Sequence, residues 1–220
     1  MRPFSNRIEA GRTLATLLGA YRSRADVMVL ALPRGGVPVG FEVAAELRAP
    51  LDVFVVRKLG VPWHRELAMG AIASGGVRVL NDDVIGSMHV PQEAVEQSAK
   101  VEEQELARRE RLYRGGRPFP SIEGQVAIVV DDGLATGSSM RAAVRALRQH
   151  RPSRIVVAVP VAAKDTCTEL QAEVDEVVCA LTPEPFYAVG LWYAEFEQTT
   201  DAEVRDLLAK SLHELVDRGT

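Results

Sequence analysis

The segment Asp131-Asp132-Gly133-Leu134-Ala135-Thr136-Gly137-Ser138-Ser139 places two adjacent carboxylates next to a small, hydroxyl-rich turn. Such a turn can bind phosphate when it opens a helix, because the first N–H groups of a helix lack intrahelical partners and carry partial positive charge. Gly137 would let a ligand approach the backbone closely. The paired acids would repel a bare phosphate, but they suit sugar hydroxyls or a Mg²⁺ already carried by a pyrophosphate. The plainer alternative is a helix capped by Ser138 or Ser139 with both acids in water. The apolar run Ala127 to Val130 ahead of the acids favours a site, since it carries them to the carboxyl end of a buried strand, where open α/β folds place ligands.

Two further turns have anion chemistry. Pro33-Arg34-Gly35-Gly36 follows the apolar run Val27 to Leu32; Arg34 offers a bidentate donor fork, and Gly35 and Gly36 expose backbone N–H groups. Arg57-Lys58 ends the next run, Leu51 to Val56. Three such turns at the ends of three strands are expected to converge on one crevice. The arrangement is not that of a P-loop NTPase: Gly133 and Gly137 have the wrong spacing, and Ser138 stands where the Lys would be.

The elements that must position these turns are legible from their periodicity. Asn6 to Tyr21 reads as an amphipathic helix capped by Asn6 and covering one side of a sheet. Val37 to Leu47 returns to helical spacing after the first strand. Leu59 to Glu66 reads as loop, and Leu67 to Ala73 and Val77 to Leu80 as short strands around Ser74-Gly75-Gly76. The stretch from Pro91 to Tyr113 is a charged helix, Glu-rich first and Arg-rich last, as the helix dipole prefers. That order assigns Arg108, Arg109 and Arg111 to ion pairs rather than to nucleic acid. Beyond Gly115-Gly116, strands at Gln125 to Val130, Arg154 to Pro160 and Glu176 to Leu181 alternate with helices at Ser139 to His150 and Asp165 to Val174. Alternation of this kind implies a mostly parallel α/β sheet with right-handed crossovers.

Composition bounds the partners. A net charge of -4 argues against a phosphate-tracking nucleic-acid surface, so any anion site must be local. No apolar run approaches the ~20 residues that span a bilayer, and no leader pattern opens the chain. Cys167 and Cys179 lack metal-type spacing and read as separate buried thiols in a reducing compartment, giving an expected cytoplasmic location. Apolar residues in Leu207 to Val216 would permit a homodimer surface.

The strand, the two acids and the Ala-Thr-Gly-Ser-Ser turn together resemble the signature of type I phosphoribosyltransferases. The resemblance extends over nearly the whole chain and implies one domain, 1–220, with a mobile loop or flap at about 59–80, a charged helical insertion at about 91–114 and a small C-terminal hood at about 182–200. It implies that Asp131 and Asp132 contact the ribose hydroxyls of 5-phosphoribosyl-1-pyrophosphate (PRPP). A Mg²⁺ cofactor would then be held through water or ribose rather than by direct ligation. Ala135, Thr136, Gly137, Ser138 and Ser139 would hold the 5′-phosphate. Arg34, Gly35 and Gly36 correspond to the family's pyrophosphate loop, which often carries a strained or cis peptide. Arg57 and Lys58 resemble the basic pair of adenine-type members, and Lys58, Pro62, Glu66 and Gly70 are spaced much as in their mobile loop, with His64, Arg65 and Glu66 as the candidate groups. Closure of that loop would exclude water from a ribosyl-cation-like transition state.

For the base, Pro185 to Gly190 resembles the stacking segment of hypoxanthine-guanine enzymes, with Tyr187 at the stacking position, Phe186 and Trp192 beside it, and Lys164 one residue from the Lys that reads the purine carbonyl. Ala135 stands where 6-oxopurine enzymes carry an Asp, as in adenine-type members, so the two hints name different bases. The resemblance thus implies transfer of a 5-phosphoribosyl group between pyrophosphate and a purine or related base. A regulator that binds PRPP or a nucleotide without transfer, or another reaction on a phosphoribosyl substrate, stands beside it. The catalytic-style loop from Leu59 to Gly76 and the absence of an added DNA-binding domain favour the enzyme.

Overall fold

The computed structural model describes residues 4–218, apart from the side chains of Arg65, Glu66 and 216–218. Helix α1 (Arg7–Leu17) is capped by Asn6, whose side chain accepts from the N–H groups of Ile8 and Glu9, and a 3-10 turn completes it at Gly19–Tyr21. Strand β1 (Val27–Ala31) leads into α2 (Gly36–Leu47) and β2 (Leu51–Val53). Strands β3 (Val56–Val61), β4 (His64–Ala73) and β5 (Val77–Leu80) follow, then the short α3 (Asp82–Ser87) and the long α4 (Gln92–Arg114). The remainder alternates: β6 (Val126–Val130), α5 (Ser138–Arg148), β7 (Arg154–Val161), α6 (Lys164–Gln171), β8 (Glu176–Leu181) and, after a 3-10 turn at Val189–Trp192, α7 (Asp201–Arg218).

Five strands form a wholly parallel sheet in the order β2-β1-β6-β7-β8. Every residue of β1 and β6 is buried, as expected of strands covered on both faces. From β1 the chain steps outward to β2, and the later strands build on the other side through β6, so the order switches direction between β1 and β6. The carboxyl ends of those two strands therefore splay their turns around a crevice. One face packs Leu14, Leu18, Val39, Val43 and Leu47 of α1 and α2; the other packs Met140, Val144 and Leu147 of α5.

Strands β3, β4 and β5 make a separate antiparallel sheet. Leu59 to Glu66, read from sequence as loop, lies mostly in strand: β3 runs on to Val61 and β4 begins at His64. Burial of Leu59, Val61 and Met69 against α4 and α7 supplies the apolar face that makes a strand here. Helix α4 presents Val95, Ala99, Leu106 and Tyr113 to this core, and its charges pair along the solvent face. Arg108 and Arg109 both bond Glu105, whose carboxyl they hold at about 2.

One expectation is corrected. Cys167 and Cys179 are not separate thiols but are joined by a disulfide between α6 and β8. Helix α6 returns the chain directly alongside the strand that follows it, which brings the two side chains together. In α7, Leu208 is buried and Leu207 packs on the same core, while Leu212 is exposed; the side chain of Val216 lies outside the described residues. Among the described residues no helix is long and apolar enough to cross a membrane.

Candidate phosphate and sugar site

Strand β6 delivers Asp131 and Asp132 to the crevice, where both are partly buried. The backbone N–H of Asp132 donates to Asp131 Oδ1 at 2.9 Å, so the first carboxylate is anchored by the chain itself. Burial, and then the neighbouring Asp132 carboxylate, push the Asp131 carboxyl well above the usual range. The turn from Gly133 to Met140 wraps, with Asp131 and Val189, around a hollow of about 190 Å³.

The start of α5 has the form of a phosphate cradle. Its N-cap is Gly137, at φ 68°, and no side chain caps the helix. This corrects the alternative in which Ser138 or Ser139 would cap it. Of the first-turn N–H groups, that of Ser138 has a long contact to Thr136 Oγ1 at 3.4 Å, and none is taken by a side chain of the cap residue. A Cβ on Gly137 would be strained by that φ and would lie 2.7 Å from Thr166 Cγ2. Thr166, on α6, also donates its hydroxyl to the Ala135 carbonyl at 2.7 Å, bracing the turn from behind. Thr166→Val keeps the shape and removes this bond. We expect a loss of about 1 kcal/mol in stability, read from denaturant unfolding.

The turn after β1 closes the other side. The N–H of Leu32 donates to the carbonyl of Val130 at 2.8 Å, so the two strand ends leave the sheet together. The peptide Pro33-Arg34 is cis. Gly35 is pressed against the second acid: a Cβ there would sit 2.0 Å from Asp132 Oδ2. Arg34 is half-buried, with Nη1 3.7 Å from Asp201 Oδ1 at the start of α7, and that same carboxylate oxygen accepts from the Tyr113 hydroxyl at 2.7 Å. Burial and this contact raise the Tyr113 phenol to about 12.

The basic pair on β3 does not act as a pair. Lys58 Nζ lies 3.3 Å from Ser138 Oγ and reaches the phosphate turn, whereas Arg57 bonds Glu102 of α4 at 2.7 Å. Consecutive strand residues point to opposite faces, so only one of the two can reach the crevice. Glu66 lies in β4 and its side chain is outside the described residues.

On the hood side, Phe186 and Trp192 are half-buried against the cluster of Phe4, Val161 and Tyr193, while Tyr187 is 78% exposed. Lys164 is exposed and lies 3.4 Å from Glu184. The hood residue that touches the acids is Tyr193, whose hydroxyl donates to the Asp132 carbonyl at 2.6 Å. Sequence reasoning missed it, as it missed Arg7 of α1, whose guanidinium binds Asp132 Oδ2 at 2.8 to 2.9 Å. The capped helix start at Asn6 was the one signal near Arg7. Nothing local to either residue points to a partner so far along the chain.

Comparison with known proteins identifies the family. The model of the phosphoribosyl transferase domain matches residues 7–187. The chain is 46% identical over 219 residues to Mycobacterium tuberculosis proteins that carry the name phosphoribosyl transferase as a provisional description, and it spans 49% of their length. The crystal structure of TT1426 from Thermus thermophilus superposes with a TM-score of 0.85 at 40% identity, covering 96% of this chain and 99% of that one. AQ2163 from Aquifex aeolicus, at 10% identity and a TM-score of 0.50 over 92% of this chain and 84% of that one, shares the fold alone. With a family match that takes in the acids, the phosphate turn and the Arg34 turn, the chain belongs to the phosphoribosyl transferase domain family, built on the type I fold.

Proposed function

We propose that this domain binds PRPP with Mg²⁺ and transfers its 5-phosphoribosyl group between pyrophosphate and a nitrogenous base of the purine type or a related one. The observation that carries this reading is the meeting of the Gly35 turn with the Asp132 carboxylate, which sets an arginine-bearing anion loop directly beside a diol-compatible acid pair. The uncapped start of α5 follows within the same turn. In this reading Ala135 to Ser139 hold the 5′-phosphate, Asp131 and the open Oδ1 of Asp132 accept from the ribose hydroxyls, and Arg34 and Lys58 stabilise the departing pyrophosphate. Arg57 has no part in it, being committed to Glu102.

In the transfer, the bond from the anomeric carbon to pyrophosphate breaks with its electron pair going to pyrophosphate, and a bond from that carbon to the base nitrogen forms. The nitrogen's proton leaves to solvent. The residues fit a metal held indirectly. Asp131 Oδ1 already accepts a backbone N–H and Asp132 Oδ2 an arginine, so Asp131 and Asp132 are suited to contact the metal's waters or the ribose. When bound, Mg²⁺ would neutralise charge on the pyrophosphate.

A binding-only regulator is the second reading. What favours it is the base side, where Lys164 is drawn to Glu184 and Tyr187 stands in solvent, so neither of these two side chains is poised to read a base edge. The test is a panel of purines, pyrimidines and related bases, with pyrophosphate release as readout in the presence of Mg²⁺. Release with one base class supports the transferase, whereas tight PRPP binding with no release for any base overturns it in favour of the regulator.

A further inference from the structure

Arg7 is a charged side chain that the reading above leaves without a task. It projects from the first turn of α1 with only 12% of its side chain exposed. Its Nε and Nη2 both reach Asp132 Oδ2, at 2.9 and 2.8 Å, and its Nη1 donates to the Glu197 carbonyl at 2.7 Å. The guanidinium carbon lies 4.0 Å from the centre of the Phe196 ring. A guanidinium has five N–H bonds, and these contacts account for three of them. The head group is thus locked in place by a carboxylate, a carbonyl and an aromatic face while two of its donors remain available.

Arg7 also lines a cavity of about 360 Å³ together with Arg34, Gly35, Asp132, Gln198 and Thr199. Two arginines therefore flank one hollow, with a glycine turn beside them. Each is balanced in the ligand-free protein by a carboxylate, Arg7 by Asp132 and Arg34 more loosely by Asp201 at 3.7 Å. With Arg34 only loosely paired, the two guanidinium groups favour an anion entering this cavity. A planar fork is best matched by phosphate oxygens.

We propose that Arg7 is a diphosphate-contacting residue, forming with Arg34 a two-arginine clamp for the pyrophosphate end of the substrate. The clamp rests on the PRPP reading given above. Arg7 also fixes the role of the second acid: with Oδ2 enclosed between Gly35 and Arg7, Asp132 offers the ligand only Oδ1. The N-terminal helix and the hood segment around Phe196 are thereby joined to the end of the site that releases pyrophosphate.

The clamp is tested by calorimetry on the whole chain with three probes in Mg²⁺: pyrophosphate, PRPP and ribose 5-phosphate, which lacks the diphosphate. Arg7→Ala is expected to weaken pyrophosphate and PRPP about 10- to 100-fold, the range for losing charge-assisted hydrogen bonds, and to leave ribose 5-phosphate within about threefold. Arg7→Lys, which keeps the charge against Asp132 but not the fork, is expected to recover part of the loss, and it decides the matter if Arg7→Ala does not fold. Equal losses for all three probes would make Arg7 a brace for Asp132 and overturn the clamp, as would unchanged pyrophosphate affinity in both variants. Wild-type protein that binds none of the probes overturns the PRPP reading and the clamp with it.

Discussion

Asp131→Asn is expected to make the ligand-free protein more stable while weakening PRPP binding at least about 100-fold. The two effects have one cause. Burial and the adjacent Asp132 carboxylate raise the Asp131 carboxyl well above its ordinary 3.8, so the folded state resists its ionisation. The amide keeps the acceptor that receives the Asp132 N–H, so the turn retains its anchor. It loses the charge that a ribose diol or a hydrated metal needs, and each hydrogen bond to a charged group is worth about 1.5–3 kcal/mol. Two such bonds to the ribose hydroxyls account for a loss of that size.

The pH dependence has a definite sign. Because the folded-state value is raised, the folded protein keeps a proton that the unfolded chain has already released, so stability falls as pH rises from near 3.8 through the raised value and is flat beyond it. Asp131→Asn removes that slope. Its advantage, on the order of 1 kcal/mol or roughly 2–4 °C in a chain of this length, should appear at neutral pH and vanish in acid. Thermal melts in chelator across pH 3 to 8, paired with PRPP calorimetry, give both readouts. A neutral-pH melting point below wild type, or PRPP affinity within about threefold, would refute the account.

How much of this was legible in the sequence follows from the range of each interaction. The parallel sheet was readable because buried runs such as Val27 to Ala31 and Val126 to Val130 announce strands covered on both sides. The turn from Asp131 to Ser139, joining a buried strand to a helix, was readable because its acids, glycine and hydroxyls are contiguous. The Arg34 turn needed only the rule that strand ends converge. What failed was anything decided by facing or by distant partners. Arg57 and Lys58 look equivalent in sequence, yet strand alternation sends one to Glu102 and the other to Ser138. Arg7 and Asp132 are 125 residues apart and meet only because α1 and the hood close on the same strand end. Leu59 to Glu66 carries loop-like Pro62 and charges, but packing against α4 draws its ends into strands.

Arg114 is the sharpest case of a residue whose sequence context misleads, and its replacement should carry a large stability cost. It ends a helix rich in solvated charge, yet it is 3% exposed. Its guanidinium spans Asp52 at 3.0 and 3.2 Å, Glu110 at 2.6 Å, the Val53 carbonyl at 2.5 Å and Ser74 Oγ at 3.1 Å, with Phe119 5.1 Å from its carbon. It thereby ties α4 to the end of β2 and to the turn between β4 and β5. Asp52 is buried, and that burial raises its carboxyl despite Arg114 drawing it down. Arg114→Met leaves this carboxyl without its cation and is expected to cost about 3–5 kcal/mol. At neutral pH that is a drop of roughly 6–20 °C.

The loss should shrink as pH falls, because protonating Asp52 removes the uncompensated charge. Arg114→Met combined with Asp52→Asn should be less destabilised than the two single changes together, since the pair's desolvation is then relieved on both sides. Strictly additive losses, or a pH-independent cost for Arg114→Met, would show that the guanidinium acts by filling space rather than by neutralising Asp52. The same variant bears on function, because Lys58 lies on β3, whose partner strand β4 ends at the Ser74 turn that Arg114 holds. PRPP affinity should therefore fall with the loosening of that turn even though Arg114 touches no part of the crevice.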